Sequence, residues 1–387
     1  MIPNPSLVFA ITWIGLLLLY SLHYSLVLTQ LSTVTVVVVL ASTLAFVASY
    51  VPTAVLAGRS RRGAGRSGQY GQGLYESGLL ELKLKRLILF WGILSLVEIA
   101  VSRGVPLFNR SIDYTQFGIH SLHGFLNAVV IVFSNYAIYF YLTRKRRKYV
   151  GYFLLCLLWP MLLLTRQLLM SMILQALLIY ITIRGLKWRQ FLIVLVAVLV
   201  VIVLFGVIGD ARSGGGFRKL ALPSENYPDW LPSGFLWVYL YATSSLSNTN
   251  YNISQYTDIR FGLVQFVGNF MPSVLKDRLI IGGSEIDYQL SNKTFNVGTG
   301  MEEFLVGWGS WGTVFIMFLV GIAYNLVYDR ARVDENIKWK MIVVVLIHNI
   351  ILSIFANFMT SLVFLFQCLL HYYLGTTYYF YKRPSLG

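Results

Sequence analysis

Long apolar runs, separated by connectors that alternate between strongly basic and nearly neutral, constrain this chain more than any other feature. Hydrophobic residues make up 57% of the 387 and charged residues only 12%. That is more apolar surface than a soluble core can hide, whereas a bilayer accepts spans of roughly 20 residues each. The pattern predicts an all-α polytopic integral membrane protein, with residues 1–387 forming one transmembrane domain. Ten spans are expected, near 6–28, 34–56, 87–102, 122–142, 149–165, 167–184, 190–209, 303–328, 341–357 and 361–381.

The charge sets an orientation. With the amino terminus in the cytoplasm, the connectors 57–86, 143–148, 184–189 and 329–340 and the tail with Lys382 and Arg383 all fall inside. They hold 21 of the 31 basic residues against five of the 16 acids, a net of +16, while the rest of the chain, ten basic and eleven acidic, sums to −1. The overall charge of +15 is thus a topology signal that puts both termini in the cytoplasm. A nucleic-acid footprint would gather on one folded face instead of at successive membrane exits, so no nucleic-acid partner is expected. Met1 to Asn4 carries no Lys or Arg, and the first apolar run is expected to stay as an anchor. Cys156 and Cys368 both fall in spans and read as packing residues, and no metal site is expected.

Segment 57–86 reads as a cytoplasmic, basic, glycine-rich linker lying on anionic lipid. Gly63, Gly65 and Gly68 match a dinucleotide fingerprint in spacing only, since no strand precedes them. Outside lie a short connector, 103–121, and one large loop, 209–302. The loop carries two moderately apolar stretches, 234–243 and 259–275, expected as amphipathic helices resting on or dipping into the outer leaflet; if both crossed, the spans would number twelve.

Chemistry needs polar groups that a bilayer otherwise excludes, and these collect at the outer rim. His120 and His123 share a face at helical spacing and serve either as acid or base or as plain interfacial residues. Arg166 sits at the turn of a tight hairpin, where its fork suits phosphate or simply reaches lipid headgroups, and Arg212 follows on the same side. Glu302 and Glu303 open the eighth span, as helix-end acids or as a base. Glu98 lies inside the third span, where an unpaired charge is costly, so a partner or a proton is expected there.

The series SRGVPLF with Tyr114, Phe117 and Gly118, the hairpin TRQLLMSMILQALL, the ARSGG turn, the YLYATSSLSN stretch and the run GTGMEEFLVGWGSWG together resemble the Wzy-type O-antigen and oligosaccharide repeat-unit polymerases over most of residues 85–330. The run VGWGSWG after the glutamates departs from the Asp-Phe-Gly often found before this span in that family. The resemblance implies a GT-C-like, metal-independent glycosyltransferase without cofactor in a bacterial inner membrane, its active site facing the periplasm. It would polymerise undecaprenyl-pyrophosphate-linked oligosaccharides, with a chain-length-regulating co-polymerase as a further partner. On that reading Arg166 and Arg212 stabilise the leaving pyrophosphate and His123, Glu303 or Asp113, in that order, is the base. Arg103, Tyr114, His120, Tyr241 and Glu302 are then expected to line the substrate site. The alternatives are a lipid-linked glycan transporter and an O-antigen ligase. The ligase family depends on a histidine in the large outer loop, and 209–302 contains none.

Overall fold

The computed structural model describes residues 2–63, 75–109, 111–113, 116–213, 216–254, 271, 290–291, 297–334 and 336–376. Among them there is no strand; the fold is a bundle of α-helices. These are α1 (Pro5–Tyr20), α2 (Thr33–Ala48), α3 (Tyr50–Gly63), α4 (Tyr75–Val101), α5 (Leu122–Arg144), α6 (Lys148–Leu162), α7 (Arg166–Arg184), α8 (Trp188–Ser213), α9 (Gly216–Ala221) and α10 (Ser233–Ile253), followed by α11 (Glu302–Val333), α12 (Ile337–Leu352) and α13 (Leu362–Thr376). Each apolar run expected as a span is helical over most of its described residues, although the run 341–357 leaves helix after Leu352. Among the described residues, four stretches are long and apolar enough to cross a membrane: Thr33–Leu56, Leu122–Arg144, Arg166–Arg184 and Glu302–Val333. Pro5–Tyr20, Lys148–Leu162, Trp188–Val200 and Leu362–Gly375 are apolar but shorter.

Side-chain placement is that of a bundle in lipid. On α1, Phe9, Trp13, Leu16 and Tyr20 are buried at helical spacing, while Leu7, Ile11 and Leu18 on the other side are each at least 60% exposed. Conversely, Glu98, Asn135, Gln175, Asn248, Asn252, Gln367 and His371 are wholly buried. Apolar groups cover the outside as well as most of the core, and the buried polar groups lie where helix packs on helix. Local caps set the helix starts. Asn4 accepts from the Ser6 and Leu7 amides ahead of α1, with Pro5 as the first helical residue; Ser32 accepts from Thr35 N at α2; and Asn336 accepts from Lys338 N at α12.

Successive long helices reverse direction, so the ends fall into two groups. At one end Arg144 pairs with Glu81 at 2.9 Å, Arg184 donates to the Leu142 carbonyl, and Asn336 donates to Gly375 O. At the other, Leu107 N donates to Leu162 O at 3.0 Å, Gly300 N donates to Ser353 O at 2.6 Å, and Phe125 meets Phe366 edge-on at 5.4 Å. We call these the Glu81 end and the His123 end.

Two expectations change. Helix α1 stops at Tyr20 and does not run to residue 28, because His23 takes a left-handed φ of 50° and the chain beyond pairs with the far loop, Leu26 N to Leu222 O at 2.8 Å and Ser224 N to Tyr24 O at 3.0 Å. The stretch 234–243 is helical, with Leu236, Tyr239 and Leu240 buried and Val238 and Tyr241 exposed, but it is not a separate element. It is the first half of α10, which runs on through SSLSNTNYNI, packs on α8, α11, α1 and α2, and buries residues 242–250. So polar a helix can be buried because its side chains are satisfied: Asn250 Oδ1 accepts from Ser32 N and Thr35 Oγ1, its amide nitrogen donates to Gln30 O, and Ser245 Oγ donates to Ile354 O. The stretch 259–275 lies outside the described residues apart from Met271.

Candidate functional site

At the His123 end, α4 closes in a tight turn: Arg103 (φ 58°) and Gly104 (φ 134°) both take left-handed backbone, and Gly104 N returns to Ile99 O. The connector then folds back over the end of α4. Ser102 Oγ accepts from Gly118 N at 3.2 Å, and Glu98 Oε1 accepts from Ile119 N at 3.1 Å. The second oxygen, Glu98 Oε2, lies 3.1 Å from His123 Nδ1. Only glycine fits at 118, because φ there is +98° and a Cβ would stand 2.7 Å from His123 Nδ1 and 2.9 Å from Glu98 Oε1.

The pair is asymmetric in a chemically useful way. The Glu98 side chain is fully buried, while that of His123 keeps 21% of its surface exposed. A carboxylate accepting from Nδ1–H leaves Nε2 as the free lone pair, so the buried acid orients the ring and the ring faces outward. Phe117 packs edge-on to His123 at 5.5 Å, and Trp159 backs Phe117 at 6.4 Å while donating to Asn127 Oδ1. Glu98 therefore has the partner its place in an apolar helix demanded.

His120 does not share a helical face with His123. Helix α5 begins only at Leu122, after Ser121 with φ 65°, which leaves His120 exposed in the preceding turn. Arg103 and Asp113 are exposed on the same connector. Arg166 is the first residue of α7, exposed, and makes no hydrogen bond or ion pair among the described residues. It stands on the same rim as His123. Leu107 of the connector bonds to Leu162 just before the α6–α7 turn, and Val105, Phe117, Trp159, Leu163 and Leu168 form one buried cluster beneath.

A second polar group sits at the start of α11. Glu302 is 2% exposed; its Oε1 accepts from Asn252 Nδ2 at 2.6 Å and its Oε2 from Thr249 Oγ1 at 3.3 Å. Gly298 lies so close over it that a Cβ would overlap Oε2. Glu303 points elsewhere, accepting from Asn357 Nδ2 at 2.6 Å, and the same nitrogen reaches Thr360 Oγ1. That loop leads into α13, whose Val363 touches Gly124, the residue after His123, so 353–361 bridges the two polar groups along one rim. Tyr241 is 49% exposed on α10 and stacks on Trp237 at 5.7 Å. Tyr114 and the Arg212 side chain lie outside the described residues.

Sequence reasoning singled out His123 and Glu98 but did not join them, and it gave no role to Asn357, Thr249 or Asn252. Asn357 had a signal, as an amide in the apolar run SIFANFM; the α10 residues had one in their density of Ser, Thr and Asn. It also missed a group in the middle of the bundle. Asn135 Nδ2 donates to Gln175 Oε1 at 2.7 Å and reaches His371 Nε2 at 3.3 Å, and Gln175 Nε2 donates to Gln367 Oε1 at 3.0 Å. Compared with protein-family models, curated proteins and solved structures, the chain matches none.

Proposed function

We propose that this chain is a membrane glycosyltransferase that polymerises polyprenyl-pyrophosphate-linked oligosaccharide repeat units at the outer face of a bacterial inner membrane, on a GT-C-like scaffold of ten spans. The observation that carries the reading is the Glu98–His123 pair, a buried carboxylate holding a half-open imidazole at a helix end. The acceptor sugar's hydroxyl gives its proton to His123 Nε2 while its oxygen bonds to the donor's anomeric carbon. The bond from that carbon to the pyrophosphate oxygen breaks, and the electron pair leaves with the pyrophosphate. Glu98 stabilises the imidazolium that forms, a contribution of about 10²–10⁴ in rate for positioned acid–base catalysis. Arg166, with Arg212 and Arg103, supplies the charge that the leaving pyrophosphate needs. Glu303 and Asp113 are the other candidate bases, Glu302 and Asn357 shape the rim, and His120, Tyr114 and Tyr241 line the sugar path.

The test is polymer formation in membranes supplied with lipid-linked repeat units. Deletion of the gene should leave cells capped with a single repeat unit, and His123→Asn or Arg166→Lys should reproduce that state at normal protein abundance. Wild-type chain lengths in both variants would sink the proposal. Loss of even the single unit, with finished polymer retained on its lipid carrier, would identify a ligase instead. A transporter is the second reading, favoured by the buried amide and imidazole groups of Asn135, Gln175, Gln367 and His371 and by the break in α11 at Gly309, where φ is 71° inside the helix. On that reading the undecorated lipid-linked unit would accumulate on the cytoplasmic face.

A further inference from the structure

Helices α4 and α6 both pack on α5 but meet each other at an aromatic contact, Trp91 against Trp159 at 5.2 Å. From there towards the Glu81 end they enclose a slot of about 360 Å³, whose walls include Ile88, Trp91, Val130, Phe133, Ala137 and Leu155. Tyr152 and Leu155 line it and are at the same time 37% and 62% exposed on the outer surface of α6, so the slot opens sideways among lipid-facing residues and not into the bundle. The Trp91–Trp159 contact shuts its deep end.

Its other end is charged. Lys85 lines the slot and is exposed, and Arg86 beside it is exposed as well. Glu81, also in the lining, is occupied: it accepts from Arg144 at 2.9 Å and from Lys148 at 3.2 Å, while Tyr149 OH reaches it at 3.4 Å. Lys85 lines the slot beside a carboxyl already shared by Arg144 and Lys148, so excess positive charge stands at the mouth of an apolar slot closed at its deep end. A molecule matching both parts has one long hydrocarbon chain and an anionic head at the same depth in the membrane as Lys85.

The geometry points to a binding site for one acyl chain of an anionic phospholipid from the leaflet at the Glu81 end, its phosphate held by Lys85 and Lys148 and its chain lying along α4 as far as Trp91. A protein partner would need a flat, continuous apolar face; a narrow slot with a cationic mouth fits a single chain. The site does not depend on the proposed sugar transfer, only on the helices lying in a bilayer.

The test is native mass spectrometry of the full-length protein in detergent, titrated with dioleoyl phosphatidylglycerol or with dioleoyl phosphatidylcholine. Wild type should retain phosphatidylglycerol about thirtyfold more tightly than phosphatidylcholine, the scale expected of two basic residues at a headgroup. Lys85→Ala with Lys148→Ala, both on the surface, should remove that preference, and Ala137→Trp, which fills the slot, should abolish retention of either lipid. Should Ala137→Trp fail to fold, Leu155→Trp closes the slot from its exposed side. Equal retention of the two lipids by wild type, an unchanged preference in the double variant, or undiminished binding with the slot filled would each overturn the proposal.

Discussion

The pair at the His123 end and the group at mid-bundle use the same kinds of side chain to opposite ends. Glu98 and His123 form a short acid–imidazole contact with one partner sealed and the other open. Asn135, Gln175, Gln367 and His371 are all sealed, joined by amide hydrogen bonds across α5, α7 and α13, and Asn135 Oδ1, Gln367 Nε2 and His371 Nδ1 meet no partner among the described residues. His371 accepts at Nε2, which puts its proton on Nδ1, turned away from any acceptor. The first arrangement can move a proton to and from something outside the protein. The second holds helices in register, since in an apolar surrounding a polar side chain is best satisfied by another helix. The two readings of function divide along this line: transfer chemistry needs the rim pair, and transport needs the interior group.

The largest expected effect therefore belongs to the rim. His123→Asn should lower polymer formation by about 10²–10⁴, with protein abundance unchanged. Glu98→Gln should follow closely, because an amide in that place still accepts from Ile119 N but cannot stabilise an imidazolium. Full activity in both, measured as the polymer ladder from lipid-linked repeat units, would break the comparison and move attention to the interior group.

Gly118→Ala sharpens it. The new Cβ falls within 2.9 Å of both members of the pair at a backbone angle of +98°, so the connector must shift. We expect a loss of stability of about 1–3 kcal/mol, and with it loss of polymer out of proportion to the protein remaining. A structure of the variant with the Glu98–His123 distance intact would show that the turn does not hold the pair.

Gln175→Leu tests the other side of the comparison. It strands Gln367 Oε1 and leaves Asn135 Nδ2 only its longer contact to His371, and should cost about 1–2 kcal/mol in a thermal melt in detergent while leaving polymer chain length as in wild type. Complete loss of function in a protein that melts normally would instead support transport.

The same contrast governs what could be read from the chain. An acid inside an apolar run stands out, and Glu98 was expected to need a partner; a histidine within a turn of a predicted span stands out as well. Their contact did not, because it depends on the positive φ at Gly118 and the return of the connector over α4, neither of which follows from hydropathy. Helix positions followed from the apolar runs alone, so each expected span is helical over most of its described residues, while the end of α1 and the burial of α10 depend on contacts between residues some two hundred positions apart, such as Tyr24 with Ser224. The interior group escaped notice because Asn135, Gln175 and Gln367 lie in three different helices that stay apolar overall, where a few polar residues scarcely lower the mean hydropathy. Only the packing of α5, α7 and α13 makes them neighbours.

The smallest effect lies at the opposite end of the bundle, in a charged group that resembles neither of the others. Burial pushes the Glu81 carboxyl up, but the hydrogen bonds and charges of Arg144 and Lys148 outweigh it and hold the group below its ordinary value of 4.5. A depressed carboxyl stabilises the folded state fully above the unfolded value and loses that contribution as pH falls through the folded one. At pH 7 the wild type should then exceed Glu81→Gln by about 0.2–1 kcal/mol, the range for a partly exposed ion pair. Thermal melts at descending pH should show the two converging below 4.5, the wild type losing stability faster. This cluster is open to solvent at Lys148, so raising salt at pH 7 should shrink the difference as well. A gap that persisted in acid and in high salt would mean that Glu81 acts through packing on Tyr149 and not through its charge.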